Sequence, residues 1–468
     1  MKFIVENLGK IKEAEIELKP LTVFVGKNGT QKSYMAHVVY GIAKNLQGVD
    51  DSLFLWRRDL NQIIEKVLKK NYEEDITKKK EIILKANEVK SIISEILKYL
   101  DKKITKNVKD NFNSEKDFSK LNIELGIDIS NISFSTIKAK EEKEYFGVGE
   151  ENEELYFEII PAYINLFSQL IDEILSDLIS KNISSFHGVY YFPSSRTGFV
   201  LVFDDIVAGV FRERFGGKPT TKLTKPVIDF LSNFADIKAG RFWEDEIPPL
   251  IKKRSNEKNF ILKLVNFLQY RILKGEVIEK KEEEKYLKFL FKPYKTRRKL
   301  ELHITSSATV ELLPIIEFLK NFPSLKNKVI IIEEPEAHLH PKAQIEMARF
   351  LALLANKGAK VLITTHSDYI IHEISNCIKL HNLNDKDKKE FLRKEHLDEY
   401  PEVAISQENI NVYLFKEDNV EIKVKKLNIN KFGIEDENFE DVVDELFERS
   451  TLLGEKIIES SGNSEDIK

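Results

Sequence analysis

A continuous apolar run, "LTVFV" at residues 21–25, leads directly into "GKNGTQKS", Gly26 to Ser33, and then into "YMAHVVYGIAKNL". The first stretch reads as a buried strand and the last as an apolar helix. Strand, glycine-bearing loop and helix is the order in which backbone amides and a helix N-terminus can wrap a phosphate. The full pattern asks for Gly, four free positions, then Gly-Lys-Ser/Thr. Gly26, Lys32 and Ser33 are in place, and Gln31 stands where the second glycine belongs. Upstream, "KFIVEN" and "EAEIEL" alternate polar and apolar residues around a glycine turn, as a pair of half-buried strands does. A chain that opens this way is expected to build an α/β sheet with its site at the C-terminal ends of the strands.

The 468 residues supply material for several domains, and 42% hydrophobic content allows a sizeable core. A formal net charge of −4 advertises no general affinity for nucleic acid, so any such contact has to be a local patch. The single cysteine, Cys377, rules out an internal disulfide and a cysteine-rich zinc site. The first residues lack the uninterrupted apolar stretch of a signal peptide, and no apolar run reaches the length of a membrane span. The expectation is a cytoplasmic protein with no membrane contact.

Residues 51–185 change character. "LFLWRRDLNQIIEKVLKKNY" and "KKKEIILKANEVKSIISEILKYLDKKI" place apolar residues at helical steps, among them Ile82, Ala86, Val89, Ile93, Leu97 and Leu100. The pattern is too short for a long coiled arm, so a packed helical insertion is expected. Residues 113–158 read as loop or short strands, and "PAYINLFSQLIDEILSDLI" as another amphipathic helix. Strand character returns in "GVYYFPSSRTGF", helices and loops fill 200–275, and "KYLKFLFKPYKTRRKLELHI" reads as a hairpin with a basic turn. The chain closes with strands "NVYLF" and "EIKVKKL", a helix near "FEDVVDELFERS" and a polar tail. The expected layout is a nucleotide-binding domain split between 1–50 and 186–380, a helical insertion over 51–185, and a C-terminal α+β segment over 381–468.

A second element matches the loop. In "VIIIEEPEAHLHP", four aliphatic residues make a buried strand, and Glu333 and Glu334 stand at its C-terminal end. One carboxylate there can hold Mg²⁺ and another can polarise an attacking water. In "KVLITTHS" a further buried strand delivers His366 to the same kind of edge, where an imidazole can contact a γ-phosphate or its water.

Together, "GKNGTQKS", "SSATVELLP", "VIIIEEPEAHLHP" and "LITTHS" resemble the ABC-type ATPases of the SMC/RecF-like branch. Within it they are most similar to compact prokaryotic "AAA family ATPases" related to the ATPase half of OLD-family proteins. "EEPEAHLHPKAQ" is the most specific stretch, and the likeness covers 1–50 and about 186–380. The resemblance implies an ABC-type P-loop domain that uses ATP and Mg²⁺. Gly26 would open the loop, and the amides of Asn28, Gly29, Thr30, Gln31, Lys32 and Ser33 would cradle the phosphates. Lys32 would reach the β- and γ-phosphates, while Ser33 and Glu333 would hold the magnesium. Glu334 would be the catalytic base and His366 the switch histidine, with "EAHLH" crossing toward a partner site. Ser306 and Ser307 would cap ATP bound by a second copy, which implies a homodimer or higher homo-oligomer. The family also suggests a sensor subunit of anti-phage defence with a separate effector, a nuclease or toxin.

Two departures stand out. Gln31 and Ala308 each replace a glycine of the family pattern. If position 31 is left-handed, glutamine there costs roughly 1–2 kcal/mol. Both changes point toward slow turnover, or toward a non-hydrolysing, ATP-gated scaffold. Arg196 in "YFPSSRTGF" is a polar residue that could point into the site. "KPYKTRRK" at 292–299 reads as a solvated hairpin tip, with nucleic-acid phosphates as the alternative partner and a DNA-repair or chromosome-associated ATPase as the matching role. "KKRSNEK" and the D-x-D at Asp385 and Asp387 read as solvated turns.

Overall fold

The computed structural model describes residues 1–47, 82–112, 118–127, 146–151, 154–159, 188–203, 223–239, 256–281, 287–322 and 324–435, with a few isolated positions between and after them. Lys2–Leu8 (β1) and Ile11–Glu17 (β2) pair antiparallel across the Gly9–Lys10 turn. Leu21–Val25 (β3) is buried along its whole length and feeds the loop that ends in helix Lys32–Asn45 (α1). These are the strands and helix expected from the sequence.

The described part of the insertion holds strand Ile82–Lys85 (β4), helix Ala86–Asn111 (α2), strand Asn122–Leu125 (β5) and the hairpin Phe146–Glu151 (β6) with Glu154–Ile159 (β7). Ile82, expected on a helix, lies on β4, which pairs with β7. Its strand opens with two adjacent β-branched residues, Ile82 and Ile83, which favour extended backbone. Helix α2 packs on α1. A Cβ on Gly41 of α1 would stand 2.7 Å from Val108 of α2, so the missing side chain is what lets the two helices approach. β5 pairs with the free edge of β1. "LFLWRRDLNQIIEKVLKKNY", "PAYINLFSQLIDEILSDLI" and the helix near "FEDVVDELFERS" lie almost wholly outside the described residues.

Past the insertion come strand Gly188–Phe192 (β8), helices Arg196–Leu201 (α3), Lys225–Lys238 (α4) and Asn256–Phe267 (α5), and the antiparallel strands Gly275–Lys281 (β9), Leu287–Pro293 (β10) and Leu300–Glu301 (β11). Helix Ser307–Asn321 (α6) follows, then Lys328–Glu333 (β12), Pro341–Asn356 (α7), Lys360–Thr365 (β13), Asp368–Asn382 (α8), Asp385–Lys394 (α9), Ile410–Asp418 (β14) and Glu421–Lys426 (β15).

The central sheet runs β15-β14-β3-β13-β12-β8, parallel throughout except for β15. Its inner strands β3, β12 and β13, and β8 at one edge, are buried almost throughout, as a covered parallel sheet requires, whereas the antiparallel edge strand β15 is largely exposed. On β12, Ile330 and Ile332 enter the core shared with α4 to α8, while Val329 and Ile331 enter the core under β1, β2 and α1. The architecture is mixed α/β, with antiparallel N-terminal strands over one face and helices over the other.

One strand sits elsewhere than expected. "NVYLF", assigned from the sequence to a C-terminal segment, is β14, and it pairs in parallel with β3 inside the central sheet. β14, and β15 through it, thus continue the sheet of the phosphate-loop strand. Among the described residues no helix is long and apolar enough to cross a membrane.

Candidate active site at the C-terminal edge of the sheet

Register brings the site together. Thr365 of β13 lies level with Val25 of β3, and Glu333 of β12 lies level with Thr364. The loop after β3, the acidic end of β12 and His366 after β13 therefore leave one edge from three adjacent strands.

In the loop, the Lys32 ammonium donates to Gly26 O at 2.7 Å and to Lys27 O at 2.8 Å. Burial pulls its pKa down, against the opposing pull of Glu334 and Glu336. The Thr30 hydroxyl donates to Lys27 O at 2.8 Å, which tightens the loop. Asn28 and Gly29 are exposed, and Gly29 needs its φ of +81°. Gly26 has φ +151°, and a Cβ there would stand 2.3 Å from Phe415 O of β14. Helix α1 has neither a side-chain cap nor an acidic residue in its first turn. Its first amides, including that of Ser33, are left for an anion.

Gln31 is left-handed, with φ 63° and ψ 22°. The strain expected of a non-glycine residue is therefore present, about 1–2 kcal/mol. Its Oε1 accepts from Lys10 N at 2.9 Å, so the carboxamide turns to the β1–β2 hairpin.

On the acidic wall, Glu333 is buried, and its Oε2 accepts from Ser194 N at 3.1 Å. Glu333 Oε1 is buried with no hydrogen-bond partner. Glu334 is half-exposed and strained at φ 43°, a conformation held by its amide donating to Thr364 O at 2.8 Å. Strain of this kind, kept in place by surrounding bonds, gathers at working sites. His366 Nδ1 is 4.0 Å from Glu334 Oε1 and 3.5 Å from Glu336 Oε1.

Glu336 was not singled out from the sequence. It is buried, and its Oε1 accepts from the Thr365 hydroxyl at 2.6 Å and from His366 N at 2.9 Å. Burial pushes its pKa up, against the bonds from Thr365 and His366. Its place in "EEPE", one turn past the acidic pair and ahead of the histidines, was the available signal. Arg196 lies beneath the wall rather than in the site. Fully buried, it pairs with Glu311 at 2.5 Å and donates to Glu333 O at 2.7 Å and Glu334 O at 3.3 Å. Glu311, a carboxylate inside the apolar run "TVELLPIIEFL", signalled a buried partner of this kind.

Ser306 caps α6, accepting from Thr309 N at 3.4 Å, and Ser306 and Ser307 are exposed. His338 and His340 are also exposed, with His340 capping α7. Among the described residues no cluster of three or more His, Cys, Asp or Glu side chains could hold a metal alone. Mg²⁺ bound with a nucleotide needs only one or two protein ligands, the phosphates and waters supplying the rest. Ser33 and the unpartnered Glu333 Oε1 fit that requirement.

Residues 218–371 match the AAA ATPase domain family, a span that takes in both serines, the acidic wall and His366 and begins after the phosphate loop. No curated protein matches the chain. Among solved structures, the chain is similar to the SMC head domain from Thermotoga maritima at 8% identity, over 92% of this chain and 98% of that one, with a TM-score of 0.31. It is also similar to the Smc head domain with an extended coiled coil bound to the C-terminal domain of ScpA, derived from Pyrococcus furiosus, at 12% identity, over 96% and 98%, with a TM-score of 0.33. An ATP-binding ATPase is what the family match supports.

Proposed function

We propose that the protein is a cytoplasmic ATP-driven switch that binds Mg²⁺-ATP on this edge and hydrolyses it slowly. The observation that carries the reading is the convergence of Lys32, Glu333, Glu334 and His366 from the ends of β3, β12 and β13. Ser33 and Glu333 would hold Mg²⁺, which withdraws charge from the phosphates. Lys32 leaves its own loop carbonyls for phosphate oxygens. Glu334 takes a proton from the attacking water, and His366, beside both Glu334 and Glu336, stands where it can follow the γ-phosphate.

Ser306 and Ser307 stand exposed at the N-terminus of the otherwise buried helix α6 and would close over ATP held by a second copy, so that ATP clamps two subunits and hydrolysis frees them. Such a clamp suits the sensor subunit of an anti-phage defence system whose separate effector, a nuclease or toxin, does the damage. A second reading, a DNA-repair or chromosome-associated ATPase, draws on one observation. Lys295, Arg297, Arg298 and Lys299 form an exposed basic turn beside the stacked rings of Tyr270 and Tyr294, centroids 4.9 Å apart. The strain at Gln31 is what favours a non-hydrolysing scaffold. Mg²⁺-ATP turnover of the wild type beside Glu334→Gln separates the switch from the scaffold. Turnover abolished by the substitution supports the switch; ATP binding with no turnover in either protein replaces it with the scaffold.

A further inference from the structure

Gln31 takes a glycine's backbone conformation, and its side chain shows how. The carboxamide does not cap α1. It reaches back to Lys10 N at 2.9 Å and lies over Gly9, where a Cβ would stand 2.5 Å from Nε2 and 2.9 Å from Oε1. Gly9 is itself left-handed, at φ +58°. Lys10 is fixed from its far side: its carbonyl accepts from Ile422 N at 3.0 Å, and its ammonium pairs with Glu417 at 3.1 Å. At the other end of the loop, Gly26 backs onto Phe415 O of the same β14–β15 hairpin. The loop is therefore held at both ends by one hairpin, directly at Gly26 and through the β1–β2 turn at Gln31.

We propose that Gln31 is a positioning residue of the phosphate loop: its bond to Lys10 N holds residue 31 left-handed in place of a glycine and ties nucleotide affinity to the β1–β2 turn. Glycine visits this conformation freely and needs no bond to stay there. Glutamine visits it at a cost, and without the bond it relaxes, carrying with it Lys32 and the amides at the start of α1. A displacement of the Gly9–Lys10 turn then loosens the loop from a distance. The inference rests on the nucleotide reading above, and the two are tested separately.

The test is Mg²⁺-ATP affinity by titration calorimetry, with folding checked by thermal unfolding. Gln31→Ala, which keeps the strain and loses the bond, binds about tenfold more weakly. Gln31→Gly recovers most of that loss. Gly9→Asn, which tolerates a left-handed backbone but puts a Cβ against the carboxamide, weakens binding about threefold or more in the wild type. In the Gln31→Gly background Gly9→Asn has no further effect. An unchanged Gln31→Ala, or an equal effect of Gly9→Asn in both backgrounds, overturns the proposal. If the wild type binds no ATP, the nucleotide reading falls, and hydrogen exchange at the Lys10 amide without nucleotide decides on the bond. Faster exchange in Gln31→Gly supports it, and equal exchange sinks it.

Discussion

In the phosphate loop the Lys32 ammonium donates to two carbonyls of its own loop, whereas on the facing strand end Glu333 Oε1 is buried without a partner. One wall is satisfied from within; the other is not. A buried acceptor left unpaired costs about 1–3 kcal/mol, so the acidic wall gains from a cation or a donor. The loop gains from an anion only if Lys32 exchanges its carbonyls for phosphate oxygens. A nucleotide arriving with its metal serves both walls at once, and either alone serves only one.

That contrast can be broken from either side. The largest expected effect is on the acidic wall, where Glu334→Gln lowers Mg²⁺-ATP turnover at least about 100-fold while binding persists, as loss of a general base does. Steady-state rates beside calorimetric affinities check this, and a parallel loss of binding would erase the distinction between the walls. Next comes the wall's foundation. Arg196→Leu leaves Glu311 buried and unpaired, and should cost about 3–5 kcal/mol in thermal or denaturant unfolding. Adding Glu311→Leu should return much of that stability.

On the loop side, Lys32→Ala should weaken ATP binding about tenfold or more, through the lost charge-assisted bonds. Affinity of a Glu334→Gln background for ATP, with and without Lys32→Ala, isolates this from chemistry. The smallest effect is a pH slope. Burial holds the Glu336 carboxyl above its ordinary range, so the folded protein keeps a proton that the unfolded chain has released. Its contribution to stability is full below the ordinary carboxylate value and declines as pH rises toward the folded one. As pH rises above the ordinary carboxylate value, midpoints of unfolding should fall less steeply in Glu336→Gln than in the wild type.

The strands of the site were legible because a parallel strand covered on both faces has to be aliphatic throughout. "LTVFV", "VIII" and "KVLIT" say this without alternation, and the polar residues that end each run mark the edge. Glu333, Glu334 and His366 follow from that reading, and all three leave the same edge. What stayed hidden depends on contacts between distant residues. "NVYLF" looked like any short strand, since nothing local says that Ile410 pairs with Leu21. Glu336 and Arg196 took their roles from burial, which their own side chains do not announce and only their neighbours in "EEPE" and the Glu311 run hint at. The conformation of Gln31 could be posed as a question but not answered, because its answer lies in the turn at Gly9.

The position of β14 has a consequence for how the chain is made. β3 and its loop are synthesised before the strands that flank them, and β3 has both neighbours only after Lys360–Thr365 and then Ile410–Asp418 have been made. Gly26 takes its place against Phe415 O, so the loop cannot reach this shape beforehand. Until those strands are made, Leu21–Val25 is an apolar strand with open edges, the kind of segment that invites mispairing. The early pairing of β1 with β2, and the packing of α1 under them, shield it on one face while it waits. The phosphate loop thus reaches its final shape only when β14 has been made, by closure of the sheet around a strand synthesised well before it.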